Sequence, residues 1–140
     1  MLKLTVPLAH YQYWLTSRRI RGMDADALRQ VLAQQSVDEL GYAEKLANKI
    51  KRLGGTPTMQ FDQFNSNSGC VYKAPPPSDP SNLNQVIHDI LDAEACAIEV
   101  YSKLSEEYRI TDIVTHEIFE EHLEDEIGDE EEWKKLGANM

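Results

Sequence analysis

The chain is poor in the residues that stop helices or staple loops. Its 140 residues include seven glycines, six prolines and two cysteines. Two cysteines, Cys70 and Cys96, are too few for the disulfide framework of a small secreted domain. The plain expectation for each is a free buried thiol. No run of about 18 apolar residues occurs, so nothing is expected to span a membrane. The N-terminal stretch MLKLTVPLAHYQYW has one lysine, early polar interruptions and no small-residue cleavage site, so it is not read as a signal peptide. A cytoplasmic location is the default. Positive charge is also scarce, with 14 Lys and Arg against 24 Asp and Glu and a net charge of −10. That balance argues against a general nucleic-acid binder. Arg18, Arg19 and Arg21, the only tight basic cluster, read as a solvated helix end. The tract from Glu124 to Glu132 reads as a solvated acidic face, although acidity does attract metal cations.

What the chain does have is long helical periodicity. With 41% hydrophobic residues it can bury a real core as one domain. A first helix is expected over about 5–21, with Pro7 tolerated in its first turn and Gly22 stopping it. Asp24 is placed to cap a second helix over about 24–53, which Gly54-Gly55-Thr56-Pro57 ends. At about 1.5 Å per residue this second rod is roughly 45 Å long, as in a helical bundle. Residues 54–81 read as an irregular crossover rich in Asn, Ser, Gly and Pro. Within it Phe61, Phe64, Val71 and Tyr72 are expected to pack on the bundle. A third helix follows over about 82–108. The fourth runs over about 111–136, capped by Thr111 or Asp112 and stopped by Gly137.

Three of these helices carry a glutamate on the apolar stripe. The second helix reads Leu28, Leu32, Gln35, Glu39, Tyr42, Leu46, Ile50, Leu53. The third reads Leu83, Ile87, Ile90, Glu94, Ala97, Tyr101, Leu104, Tyr108, and the fourth Ile118, His122, Glu126, Asp129, Trp133, Leu136. Steps of three and four hold each set on one helix face. An ionised carboxylate facing a core must find a proton, a base or a metal. Glu39, Glu94 and Glu126, from three helices, point to a cation between them. Without one, the clustered carboxylates repel, and some stay protonated near neutrality.

Connection lengths set the topology. The first and last links are short, so each helix pair forms an antiparallel hairpin, while the middle link can travel the length of the bundle. This is an all-α four-helix bundle of ferritin-like arrangement, two antiparallel hairpins joined by a long crossover between the second and third helices. A long coiled coil is the weaker alternative, because the crossover is proline-rich and only four helical segments exist.

Longer stretches carry a specific resemblance. The segment GMDADALRQVLAQQSVDELGYAEKLANKIKRLGGTP, with its closing LGG-x-P, resembles the second helix of bacterioferritin-type proteins. Cys70, DILDAEACAIEVY and FEEHLEDEIGDEEEW resemble Dps-like proteins that carry a cysteine pair beside a bacterioferritin-type iron site, the thioferritins. The most distinctive mark is Glu94-Ala95-Cys96-Ala97-Ile98 with Cys70 upstream. The resemblance covers nearly the whole chain and implies a ferritin-like superfamily member.

The resemblance also implies a ligand set, and the sequence departs from it. The family's bridging glutamates fall on Glu39 and Glu126, and its third-helix ligand falls on Glu94. The first-helix glutamate falls on Val6, which cannot bind metal. The two family histidines fall on Tyr42 and Asp129. The di-iron site is therefore expected to be degenerate. One metal position keeps only the bridging glutamates and the Tyr42 phenol, and the other keeps Glu94, both bridging glutamates and Asp129 as a substitute oxygen ligand. All-oxygen ligation favours iron's harder competitors, manganese among them. His10 and His122 are the two histidines that can restore nitrogen ligation, against a plain reading of each as a hydrogen-bonded core residue. His88 and His116 read as surface residues. Tyr13, Tyr101 and Tyr108 read as core packing, and Trp14 and Trp133 as packing or subunit contact.

By the same resemblance, Cys70 and Cys96 form a reversible disulfide near the metal, which helix geometry alone does not imply. No haem is expected, since Leu40 rather than an axial methionine follows Glu39. The function implied is iron storage with peroxide or oxygen detoxification, in a homo-oligomeric shell, with a dodecamer favoured. Ferroxidase activity is weakened by the missing ligands. The alternative is a non-catalytic ferritin-like structural or storage subunit with at most one oxygen-ligated metal, co-assembling with an intact paralogue. No nucleic-acid or membrane partner is expected.

Overall fold

The structure, a computed structural model, describes residues 6–57 and 79–139, with side chains from residue 9 onward. The described residues form four helices: α1 (Val6–Arg19), α2 (Ala25–Arg52), α3 (Leu83–Tyr108) and α4 (Ile113–Ala138). No strand occurs among the described residues. Most of the crossover, with Cys70 and its four apolar residues, lies outside the described residues.

Side-chain pairs fix the directions of the helices. His10 meets Ser36 while Arg29 reaches back to the Ser17 and Ile20 carbonyls, so α1 and α2 are antiparallel. Gln35 meets Trp133, Tyr42 meets Asp125 and Lys49 meets Asp112, so α2 and α4 are antiparallel as well. Ser105 meets His116 close to the short turn between α3 and α4. It follows that α2 and α3 run parallel, leaving Arg52 and Leu83 at opposite ends of the bundle.

Helix ends follow from specific side chains. Asn82 and Asp112 each accept a hydrogen bond from the backbone three residues on, at 3.2 Å to Gln85 N and Thr115 N. Each satisfies one orphan donor of a first turn. Asp24 stands at the α2 N-cap position without such a bond, so the expected cap there is not made. Gly22 and Gly54 follow α1 and α2 with φ of 127° and 85°, a left-handed backbone that side chains disfavour. Gly137 does not stop α4, which continues to Ala138. Its role is close packing: a Cβ there would lie 3.2 Å from Ile87 Cγ2 on α3.

The core is divided along the bundle axis. At one end Leu28, Leu32, Val86, Ile87, Ile90 and Trp133 pack with Tyr13 and Ile20. At the other, Tyr42, Leu46, Tyr101 and Phe119 form a second cluster. Fully burying a leucine or phenylalanine contributes roughly 1.5–3 kcal/mol, so both clusters are substantial. By position along the helices, Glu39, Glu94, His122 and Glu126 fall between them. The ends of the stripes depart from expectation. Leu53 is exposed, and Leu136 only partly buried. His116 is not a surface residue: its ring is mostly covered, and its Nδ1 lies 2.7 Å from the Ser105 carbonyl.

Candidate metal centre

Each of the four described helices contributes to the polar layer. Glu39 is 4% exposed, Glu94 0%, His122 1% and Glu126 2%. Two groups of ligand-type atoms form, in each of which the atoms lie within 4.8 Å of one another. One consists of Glu39, His122 and Glu126; the other consists of Glu94, Glu126 and Asp129. Glu126 belongs to both, so the centre has two lobes with a shared carboxylate.

The position of each residue along α4 explains this. His122, Glu126 and Asp129 are spaced by four and three residues, which puts them on one face. His122 Nε2 lies 2.9 Å from Glu126 Oε1 and 3.6 Å from Glu39 Oε2. Its ring is sandwiched between Tyr42 and Tyr101, with centroids 3.9 and 4.1 Å away and interplanar angles of 23° and 24°. Two aromatic faces leave the imidazole little room to turn, which keeps Nε2 on the carboxylates.

Tyr13 on α1 donates its hydroxyl hydrogen to Glu94 Oε1. Glu94 also shares a side-chain hydrogen bond with Glu126, and beyond these contacts its buried Oε2 meets no donor among the described residues. One turn beyond Asp129, Trp133 Nε1 donates to Gln35 Oε1 at 2.7 Å, closing the layer on that side.

The remaining residues of interest are engaged elsewhere. The Tyr42 hydroxyl donates to Asp125 and lies 3.5 Å from the Glu121 carbonyl, so its oxygen faces the α4 surface. His10 Nδ1 lies 2.7 Å from the Ser36 carbonyl and 2.9 Å from Ser36 Oγ, which holds it in the α1–α2 seam. His88, Asp89 and Asp92 form a further group on a single stretch of α3, but His88 and Asp92 are exposed. Cys96 is disulfide-bonded rather than free; the only other cysteine, Cys70, lies outside the described residues.

Burial sets the electrostatics. Removal from water pushes the Glu39 carboxyl up to about 7; a hydrogen bond from Glu126 opposes this, and the charges of Glu94 and Asp129 add to it. Glu126 is raised to about 7, again chiefly by burial, with its hydrogen bond to Glu39 adding and His122 opposing. Asp129 rises to about 8 through burial and then the Glu94 charge. Glu94 is held well above the usual carboxylate range, first by burial and then by Glu126. Four neighbouring carboxyls therefore retain protons near neutrality unless another positive charge replaces them.

The donor set fits a divalent first-row metal. Carboxylates with one imidazole nitrogen match its ligand preference, and a cation would take the place of the protons that the buried Glu39, Glu94 and Glu126 share. The sequence stripe located the three glutamates and His122 on inward faces. It missed Tyr13. The available signal was that Tyr13 shares the α1 face of Val6 and His10, one turn beyond the histidine.

Four helices around a buried, two-lobed carboxylate and histidine centre define a class of protein. A profile of the ferritin-like domain matches residues 8–138, and the chain belongs to the ferritin-like family. It is 28% identical over 133 residues to a bacterioferritin of Desulfovibrio desulfuricans, covering 94% of this chain and 68% of that protein. It is 23% identical over 95 residues to a DNA protection during starvation protein of Pyrococcus furiosus, covering 68% of this chain and 50% of that protein. The chain thus spans half of the Pyrococcus protein and about two thirds of the bacterioferritin. Among solved structures, a dodecameric thioferritin of Bacteroides fragilis superposes with a TM-score of 0.88 at 20% identity, covering 97% of this chain and 79% of that one. An archaeal Dps homologue of Halobacterium salinarum gives 0.81 at 17% identity, covering 96% and 73%. At these identities the structural likeness speaks for the fold.

Proposed function

We propose that the chain is a Dps-like, bacterioferritin-related subunit that takes up ferrous iron at the polar layer, stores it and consumes peroxide or oxygen in doing so. The observation that carries this reading is the pair of ligand groups sharing Glu126, one of them holding the wholly buried Glu94. Iron is the substrate here, and a divalent cation supplies the positive charge and Lewis acidity that the site lacks alone.

The protein's own groups do the rest. Glu39, Glu126 and Asp129 release their protons as the cation enters, because metal ligation needs the ionised form. Tyr13 holds one oxygen of Glu94, and Glu126 is hydrogen-bonded to the same carboxyl. Tyr42 and Tyr101 hold the His122 ring, and the apolar clusters on either side keep bulk water out. Hydrogen peroxide takes two electrons in becoming water, so two ferrous ions are oxidised for each peroxide consumed. Relatives include a protein named for DNA protection during starvation, a bacterioferritin and a dodecameric thioferritin, which supports a homo-oligomeric shell, twelve-membered in our reading. A net charge of −10 favours no nucleic-acid partner. No helix among the described residues is long and apolar enough to cross a membrane, and we place the protein in the cytoplasm. No haem is part of this reading, since Leu40 occupies the position after Glu39 and is exposed.

A second reading has its own observation. The Tyr42 oxygen is committed to Asp125, so the Glu39 lobe draws no phenol ligand from it. A subunit that holds metal without rapid paired oxidation, alone or beside an intact paralogue, would result. Anaerobic loading with ferrous iron followed by peroxide separates the two. Ferric absorbance rising well above the buffer rate, and lost in Glu126→Ala, supports the oxidase. A stable shell that binds iron but oxidises it no faster than buffer supports the storage subunit.

A further inference from the structure

We infer that the two lobes are chemically unlike and load different cations: a nitrogen-bearing lobe for a later first-row ion such as iron, and an oxygen-only lobe for a harder ion such as manganese. The inference rests on the metal-centre reading above and goes beyond it by assigning each lobe its cation class.

The asymmetry originates in α4. Its histidine precedes the shared glutamate by four residues, and its aspartate follows by three. His122 therefore joins the Glu39 side of Glu126, and Asp129 joins the Glu94 side. On the first side, Nε2 is already 2.9 Å from Glu126 Oε1 and 3.6 Å from Glu39 Oε2. The Tyr42 and Tyr101 rings, at 3.9 and 4.1 Å, oppose its rotation away from them. On the second side all three grouped donors are carboxylates, and Tyr13 donates to Glu94 Oε1. His10 is held by Ser36 on α1–α2, so it supplies no nitrogen to this lobe. The second lobe is more than a cluster of acids. Glu94 is wholly buried, and beyond its hydrogen bond with Glu126 its Oε2 meets no donor among the described residues.

Ligand chemistry converts this into selectivity. Imidazole nitrogen favours iron, cobalt and zinc over manganese, whereas carboxylate oxygen narrows that preference and suits manganese, magnesium and calcium. Affinity for later ions is higher at any mixed site, so discrimination shows as a difference between lobes under competition. With one equivalent of cobalt and an excess of manganese, cobalt goes to the His122 lobe and manganese to the Glu94 lobe.

The test is element-resolved analysis of the full chain after anaerobic competition loading, with cobalt's visible absorption as a second readout. Wild type is expected to hold one cobalt and one manganese per chain. His122→Gln should lose cobalt affinity by about tenfold or more, change the cobalt spectrum and leave manganese within about twofold. Asp129→Asn should do the reverse. A variant that merely misfolds cannot produce opposite losses, and circular dichroism of both variants checks the fold directly. Two ions of the same element per wild-type chain, or parallel loss of both ions in the two variants, overturns the inference and leaves the metal centre standing. A wild type that holds neither ion overturns both.

Discussion

Raising the pH of the metal-free protein should destabilise it, and Glu39 gives the scale. Its carboxyl titrates near 4.5 when unfolded and at about 7 in the fold, chiefly through burial. Between those values the native state binds more protons than the unfolded state, so stability falls as pH rises. Below about pH 4.5 both states are protonated and nothing is lost; above about pH 7 the loss is complete. The full interval is worth about 3 kcal/mol, of which roughly 2 kcal/mol or more develops between pH 5 and pH 8. In a chain of this size about 1 kcal/mol moves Tm by roughly 3 °C, so Glu39 alone accounts for a fall of roughly 7 °C. Differential scanning calorimetry of chelator-treated wild type and Glu39→Gln across pH 5–8 reads this directly. The variant should melt higher than wild type at pH 8, and the two should converge toward pH 5. Saturating divalent cation should remove most of the wild-type loss, because metal competes for the same carboxylates with protons. Wild type and variant falling in parallel from pH 5 to pH 8 would refute the reasoning.

Other consequences are narrower. Tyr13→Phe removes the donor to Glu94 Oε1, and cation affinity measured by calorimetric titration should fall while the helical content stays unchanged. Trp133→Phe leaves Gln35 with no partner at either end of its buried amide, since its Nε2 already lacks one. Denaturant unfolding should show a loss of about 1–3 kcal/mol, and no change would mean the Gln35 layer is wet. Asn82→Ala deletes the α3 cap and should cost about 1 kcal/mol in the same assay, with Asn82→Ser recovering most of it.

The fold was legible because the helices are long and their stripes regular. Leu28 to Leu46 and Leu83 to Tyr101 each keep one face over several turns, and the short links determine the hairpins. Helix ends were less legible: Gly137 looked like a stop, yet packing against Ile87 keeps it inside α4. Asp24 had the right chemistry for a cap, but its side chain does not turn back to the helix. At the site, the stripe revealed which side chains face inward but not how far each helix slides against the next. That register decides that Tyr13 meets Glu94, that His122 joins Glu39, and that the Tyr42 hydroxyl passes outward to Asp125. His10 and His122 looked equivalent in sequence for the same reason. Only one of them has carboxylates opposite its ring nitrogen; the other has Ser36.

The central claim is that the layer around Glu126 is where this protein holds metal. The most direct measurement is element-resolved analysis of protein purified without added metal and then equilibrated anaerobically with ferrous iron, for wild type, Glu39→Ala, Glu94→Ala and Glu126→Ala. Stoichiometric metal in wild type, lowered in the first two variants and abolished in Glu126→Ala, is the predicted result. Metal that persists undiminished in all three variants would place it elsewhere and contradict the account.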